Sequence, residues 1–468
     1  MTPPTGPSAA APPTRVRYAI LGLLCLLAMI TYLDRAMYGS AKADLMAAVG
    51  RPVADFFWVL VAFQLAYALF EIPTGWLGDR FGPRSTLLRI VVWWSLFVAL
   101  TGFAGMTFPG TEVVVIGFGV LIGMQFLFGM GEAGAFPNIS KAAYNWFPAG
   151  ERGFAKGAVW MSARFMGGLT PVVWVLLTGY AGLTWYQTLW VFAGVAAGWC
   201  VLYAAWFTNL PSEHPSTNEA ERVLISAGKA EGVRQPIPWK RLFTSPNLWA
   251  VCLMYTVTNF NWYFLMYYLP GALKGQYQSV AGPADPAHPA LVPALLGGAP
   301  LLVGMFGCYL GGVMSDRYVR TTGDRKWGRR VYGMLGYGLA GVAYAAASLF
   351  TGEGQFWYFA GCLILVGFFN DLIMGPAWAT TQDIGRHCSA IVGGAMNMIG
   401  NLGATLGNLI SGLILQAYTV DKDVEPQGYV VLFALYAVVY GLGAVSWLFI
   451  DPTKPVVPDN YEAAGAST

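Results

Sequence analysis

Charged side chains stand away from the ends of several long apolar runs: Asp34 and Arg35 in the first, Glu71 in the second, Glu132 in the fourth, Arg164 in the fifth and Asp371 in the tenth. A charge at membrane depth costs about 2.5–3.5 kcal/mol on insertion scales, so such residues point to function. Intramembrane carboxylates commonly relay protons, because a low dielectric disfavours the charged form. An arginine there suits a carboxylate ligand, since its planar fork binds both oxygens at once. Glu132 lies far from either end of LIGMQFLFGMGEAGAFPNISKAAYNWFPAGER, residues 121–152. Gln125 precedes it by seven residues on the same helical face. Gly129, Gly131, Ala133 and Gly134 crowd around it, which lets neighbouring helices approach closely. Arg164 has no acidic residue nearby in its own run, so it is expected either to pair with Glu132 or to hold a substrate anion. Asp34 and Arg35 are adjacent and project about 100° apart. One can therefore face a cavity, with Tyr38 at i+4 of Asp34, while the other pairs with another helix. A purely structural ion pair is the rival reading.

Neutral polar side chains recur at helical spacing in the second half. Asn397, Asn401 and Asn408 share one face of the eleventh run. In the seventh, Tyr255, Asn259, Tyr263 and Tyr267 recur every four residues, with Trp262 alongside. Such a set suits a polyhydroxylated ligand, although Asn also serves as interhelical glue. Gln64, Tyr67 and Glu71 share a face of the second run. Glu71, close to a glycine-rich turn, reads as structural.

The elements that must position these groups follow from composition. The chain has 468 residues, 56% hydrophobic and 11% charged, with mean hydropathy +0.52. Soluble proteins carry about twice that charge fraction, so this is an all-α membrane protein. Apolar runs of spanning length fall at 18–38, 55–77, 86–107, 115–141, 155–179 and 187–209, then at 247–270, 292–315, 331–350, 355–379, 388–416 and 429–450. They predict twelve helices in two bundles, 15–209 and 247–450, around a polar loop at 210–246. Residues 1–14 are rich in Pro, Ala and Thr and are expected to be disordered, and 451–468 to form a tail. Lys and Arg concentrate in the loops on one side, which predicts cytoplasmic termini and central loop. The six cysteines lack metal or disulfide spacing, and the three histidines fall near or in loops. No Gly-x-x-x-x-Gly-Lys-Ser/Thr loop occurs, so an ATP-driven pump is not supported. No cofactor and no metal are expected.

The halves repeat. Gly75-Trp-Leu-Gly-Asp79-Arg80-Phe-Gly82-Pro-Arg84 lies between the second and third runs, and Gly312-Val-Met-Ser-Asp316-Arg317 between the eighth and ninth. Asp79 and Asp316 are 237 residues apart. Six-helix parallel repeats of this kind define the major facilitator architecture, with substrate between the halves near the midplane. Asp79, Arg80, Arg84, Asp316 and Arg317 are expected to gate one face by pairing across it. The same offset carries Arg164 onto Asn401, and an offset of 239 carries Glu132 onto Asp371.

The whole set resembles the anion:cation symporter family of the major facilitator superfamily, in its bacterial sugar-acid branch. The resemblance rests on Tyr32-Leu-Asp34-Arg35, the Gly75–Arg84 motif, Gly129-Met-Gly-Glu132-Ala133 with Phe136-Pro137, Trp146-Phe-Pro148 with Glu151-Arg152, and Asn397 with Gly400-Asn401. It implies proton-driven uptake of hexuronates, galactonate or glucarate, with Asp34 and Glu132 as the proton-coupling pair and Arg35 and Asn401 in the binding site. One departure stands out. Family members typically carry Arg seven residues before the fourth-helix Glu, where this chain has Gln125, while Arg164 stands in the fifth helix where a neutral residue is familiar. The anion-binding cation is therefore expected to have moved to Arg164.

Together these readings predict a secondary transporter, not an enzyme, that imports an organic anion by proton symport. The rival is exchange or export without net proton coupling. Its expected partners are a small anion, protons and the lipid bilayer of the cell membrane, without nucleic acid, and it is expected to work as a monomer.

Overall fold

The computed structural model describes residues 12–108, 110–111, 114–148, 151–226, 239–281, 291–352, 354–420 and 423–457. Six helices form the first half: α1 (Val16–Ala48), α2 (Val53–Phe81), α3 (Pro83–Thr101), α4 (Phe118–Trp146), α5 (Arg152–Tyr180) and α6 (Trp185–Trp206). The second half opens with α7 (Pro246–Tyr267). It continues with α8 (Leu291–Thr322), α9 (Arg325–Phe350), α10 (Phe356–Gly385), α11 (Ser389–Ala417) and α12 (Pro426–Phe449). Among the described residues, eleven of these are long and apolar enough to cross a membrane. The exception is α7. Its 22 residues reach about 33 Å, enough to span, but Asn247, Asn259, Asn261 and its tyrosines dilute its hydropathy. Buried inside the protein, Asn259, Asn261 and the tyrosines do not meet lipid.

Packing repeats between the halves. Helix α1 lies against α5 as α7 lies against α11, α2 against α4 as α8 against α10, and α3 against α6 as α9 against α12. The halves meet through α2 with α11 and through α5 with α8. Both α4 and α10 break at the same relative point. The first divides into Phe118–Glu132 and Ala135–Trp146, the second into Phe356–Leu372 and Met374–Gly385. Pro137 and Pro376 cause this, because each lacks a backbone donor and its ring crowds the carbonyl four residues earlier, at Ala133 and Leu372. These prolines are 239 residues apart, the offset that relates Glu132 to Asp371.

Glycine sets how closely the halves approach on the face away from Asp79. A Cβ on Gly298 of α8 would run into the Gly168 carbonyl of α5, and one on Gly412 of α11 into Phe57 of α2. Nearby, the Gln416 amide donates to Asp55 across the same interface at 2.9 Å. Gly298→Val is therefore expected to prevent closure of that face. A single cysteine at Tyr263, in a background without the native six, should then react several-fold faster with an impermeant maleimide added from that side; unchanged labelling would count against the seal.

Three expectations about the polar segments change. Residues 12–14 are not free: the Thr14 backbone N–H donates to Asn218 Oδ1 at 3.1 Å and its hydroxyl to Glu221 at 2.5 Å. Arg17 joins them, pairing with Glu151 at 2.9 Å and Glu221 at 3.1 Å. Its hydrogen bond holds the Glu151 carboxyl below the usual range. The central loop is partly helical, at Glu219–Ser226 and Trp239–Thr244. In the tail, the Val456 N–H donates to the Ile384 carbonyl at 2.8 Å. The expectations for residues 1–11, 227–238 and 458–468, and for His288 and Lys422, lie outside the described residues.

Candidate functional site

A cavity of about 670 Å³ separates the two halves. It runs from buried Arg35 and Arg164 to Asp79 and Lys141, whose side chains are 58% and 37% exposed, so it opens on the face that carries them. Its charge is unevenly supplied. Five cations (Arg35, Lys141, Arg152, Lys156, Arg164) and two carboxylates (Glu71, Asp79) line it, all from the first half. The second half contributes only neutral groups, chiefly Asn, Tyr, Trp and Thr from α7, α10 and α11.

Arg35 reaches this wall from α1. Its Nε donates to Glu132 Oε1 at 2.7 Å, and its guanidinium lies 4.4 Å from the Tyr67 ring centre and 5.6 Å from that of Tyr32. Glu132, at the end of the first segment of α4, is fully buried behind it, and its Oε2 has no hydrogen-bond partner. Asp34 faces the other way, as adjacency requires, and accepts from Trp94 Nε1 at 3.2 Å. It does not meet the cavity.

Arg164 stands on α5 beneath Gly167 and Gly168, which admit Leu301 and Leu302 of α8 at close range. It does not pair with Glu132, which Arg35 already holds. Its Nη2 donates to Asp371 Oδ1 at 3.1 Å, Nη1 to the Tyr32 hydroxyl at 3.4 Å, and its guanidinium stacks 3.9 Å from the centre of the Trp262 ring. The ion pair crosses from one half to the other. The Tyr32 ring lies 5.8 Å from Arg164 and is common to both arginines.

Of the other residues singled out in the sequence, Asn259, Tyr263, Asn397 and Asn401 line the cavity. The Asn259 amide nitrogen there has no hydrogen-bond partner. Tyr267 stacks on Tyr263 with centres 5.6 Å apart but is buried beyond the cavity. Tyr38 also misses the wall, packing on Phe128 and lying 3.4 Å from the Thr101 hydroxyl. Gln125 is buried, two helical turns from Glu132, and it too is absent from the wall. The gate residues do not pair between halves. Asp79 bonds Lys141 at 2.8 Å and Asp316 bonds Arg329 at 2.6 Å, each within its own half. Arg80 lies over Trp76, and the Arg84 side chain donates to the Ala204 carbonyl at 2.6 Å. Asp316 and Arg317 are likewise off the cavity wall.

Two further wall residues, Glu71 and Lys156, reach across to the second half. Glu71, read as structural, accepts from Asn397 and, at 3.3 Å, from Asn401, tying α2 to α11 across the cavity. Gln64 completes the group by donating to Asn401 at 2.9 Å. Lys156 lies 4.5 Å from the Trp378 ring centre, again between halves. Its signal was the spacing Lys156, Trp160, Arg164, one face of α5.

Comparison with known proteins agrees with the helical arrangement. The family model described as "Major Facilitator Superfamily" matches residues 24–407 and 324–468. The probable sulfoacetate transporter of Cupriavidus necator is 30% identical over 449 residues, 94% of this chain and 95% of that protein. A probable galactarate/D-glucarate transporter of Escherichia coli K12 is 26% identical, covering 95% and 96%. The D-galactonate transporter of Escherichia coli O6:H1 is 26% identical over 95% and 97%. Among solved structures, a bacterial homologue of the human lysosomal transporter Spinster, inward-facing and unoccupied, superposes with TM-score 0.65 at 17% identity, covering 93% of this chain and 98% of that one. The chain is a multi-pass membrane transporter, not an enzyme, and it belongs to the Major Facilitator Superfamily.

Proposed function

We propose that this protein imports a small organic anion, a sugar acid (hexuronate, hexonate or aldarate) above all, by proton symport and alternating access. The observation that carries the reading is the cavity's charge: five cations against two carboxylates, with Arg35 and Arg164 deepest. Arg35 and Arg164 take the acidic groups. Asn259, Asn397, Asn401 and Tyr263 read hydroxyls from the facing half. Relatives named for galactarate, glucarate and galactonate support that chemistry. The relative named for sulfoacetate adds a second candidate, a short anion with two acidic groups.

Glu132 supports proton coupling. While its carboxylate occupies Arg35, an incoming anion must compete with it; a proton on Glu132 frees the guanidinium. Asp34, buried near it with one oxygen unpartnered, passes the proton to Glu132, so that this pair carries one proton in this half. The Lys- and Arg-rich loops support an orientation with the open end of the cavity and both termini in the cytoplasm. The Asp79 and Asp316 motifs act as the gate, their charges re-pairing between halves when that end closes. The protein works as a monomer.

Proteoliposomes test this. Labelled glucarate, galactarate, galactonate, glucuronate, galacturonate and sulfoacetate are offered with and without an inward proton gradient. Accumulation of at least one, collapsed by a protonophore, is expected. Uptake indifferent to the gradient favours exchange, and no uptake of any compound overturns the assignment.

A further inference from the structure

The ion pair between Arg164 and Asp371 repeats the arrangement of Arg35 and Glu132 point by point. Each arginine lies on the cavity wall and each carboxylate is fully buried behind it. Each acid stands at a proline-induced break, Glu132 closing the first segment of α4 and Asp371 one residue from the end of the first segment of α10. Each uses one oxygen for its arginine and leaves the other, Glu132 Oε2 or Asp371 Oδ2, without a hydrogen-bond partner. Their difference is equally specific: the first pair lies within one half, the second joins the two.

We propose that Asp371 is a second proton-carrying carboxylate, and that its protonation opens the bridge to Arg164, whose guanidinium the substrate anion then takes. This rests on the anion-symport reading above. A guanidinium does not give up its charge, so an anion that takes Arg164 leaves Asp371 charged, buried and unpaired, which is strongly unfavourable. Among the described residues, the charged and titratable groups facing Asp371 are Arg164 from α5, the Cys308 thiol from α8 and the Tyr440 hydroxyl from α12. Tyr440 is engaged by Asn370, which also donates to Asp371 Oδ1 at 3.2 Å. On α8, Gly304 leaves Asp371 Oδ2 only a bare backbone. None of these groups replaces the lost cation. A proton from water does, forming one O–H bond on Asp371 and breaking none in the protein; release of the anion to the opposite side returns the proton to water and re-forms the bridge. Each arginine–carboxylate pair then loads one proton per cycle. A dianion moves with two protons and no net charge, and loss of one proton site leaves a net charge of −1 moving inward.

The test uses the full chain in proteoliposomes with D-glucarate, a dianion at neutral pH. Wild type should move two protons per glucarate at a rate indifferent to a potassium–valinomycin potential. Asp371→Asn should move one and be slowed by an inside-negative potential, and Asp371→Glu should return the ratio to two. A wild-type ratio of one, or a ratio of two in Asp371→Asn, overturns the proposal while leaving symport intact. If glucarate is not carried, the substrate reading fails separately, and spin labels at Phe81 and Thr322 decide the present one without substrate. In a Glu132→Gln background their separation should still change with pH, and adding Asp371→Asn should remove that change. A separation insensitive to pH in the Glu132→Gln background overturns the proposal.

Discussion

The paired exchange of Arg164→Gln with Asp371→Asn is expected to leave the protein close to wild-type stability while weakening substrate binding about 10- to 150-fold. The two effects separate because they have different causes. Arg164→Gln alone strands the Asp371 carboxylate, which is fully buried and, among the described residues, accepts otherwise only from Asn370 at 3.2 Å. Breaking one member of a buried pair costs about 3–5 kcal/mol, so the single variant should show a markedly lower unfolding temperature. Neutralising both members is often tolerated, and the amides that result can hydrogen-bond each other. Binding is another matter. A hydrogen bond to a charged group is worth about 1.5–3 kcal/mol, and the double variant removes one from the deepest part of the cavity, where Arg164 also lies 3.9 Å from the Trp262 ring centre. Thermal unfolding in detergent and equilibrium ligand binding measure the two quantities independently. A double variant that binds as tightly as wild type would show Arg164 to be only a structural counter-ion, and would end the idea that the anion-binding cation stands on α5 in place of residue 125.

Much of this site was legible in the sequence, because charges are expensive in lipid. Asp34, Arg35, Glu132, Arg164 and Asp371 stand out against apolar runs, and the repeat places the two helix-associated acids 239 residues apart. Pro137 and Pro376 share that offset and would have located both helix breaks. What a single helix does not encode is which neighbour its polar face meets. Helical spacing groups Tyr255, Asn259, Tyr263 and Tyr267, yet the cavity ends below Tyr267, because that face continues into the closed side. Pairing Arg164 with Glu132 was reasonable on charge alone; the fold gives Glu132 to Arg35 and Arg164 to the other half. The partners of Glu71 escape a single helix for the same reason, since Asn397 and Asn401 are more than 300 positions away in the chain. Helix α7 reverses the problem: its length marks it as a span, and its polarity, which dilutes the hydropathy signal, is what its position beside the cavity explains.

Glu132→Gln is expected to cut uphill accumulation at least tenfold while preserving exchange of substrate across the membrane. Glutamine has nearly the shape of the protonated acid and carries no charge, so Arg35 is permanently released from its 2.7 Å contact. The sign of the pH effect follows. In wild type, protonation of Glu132 frees Arg35, so affinity rises as pH falls. In the variant the competitor is absent at every pH, and the contribution of this site to that dependence should vanish, with affinity at high pH at or above the wild-type value. A carrier that binds substrate without loading a proton can still turn over in both directions when substrate is present on both sides, which is what exchange measures. It has nothing to couple to the proton gradient at this site, so accumulation against a substrate gradient should fall at least tenfold, about 1.4 kcal/mol of lost driving force. The decisive comparison is counterflow against gradient-driven uptake in one preparation. Loss of both points instead to Glu132 as the structural counter-ion of Arg35, and retention of both shows that protons enter elsewhere. Arg35→Gln should differ in kind: it removes the anion's own contact, so exchange and accumulation are lost together.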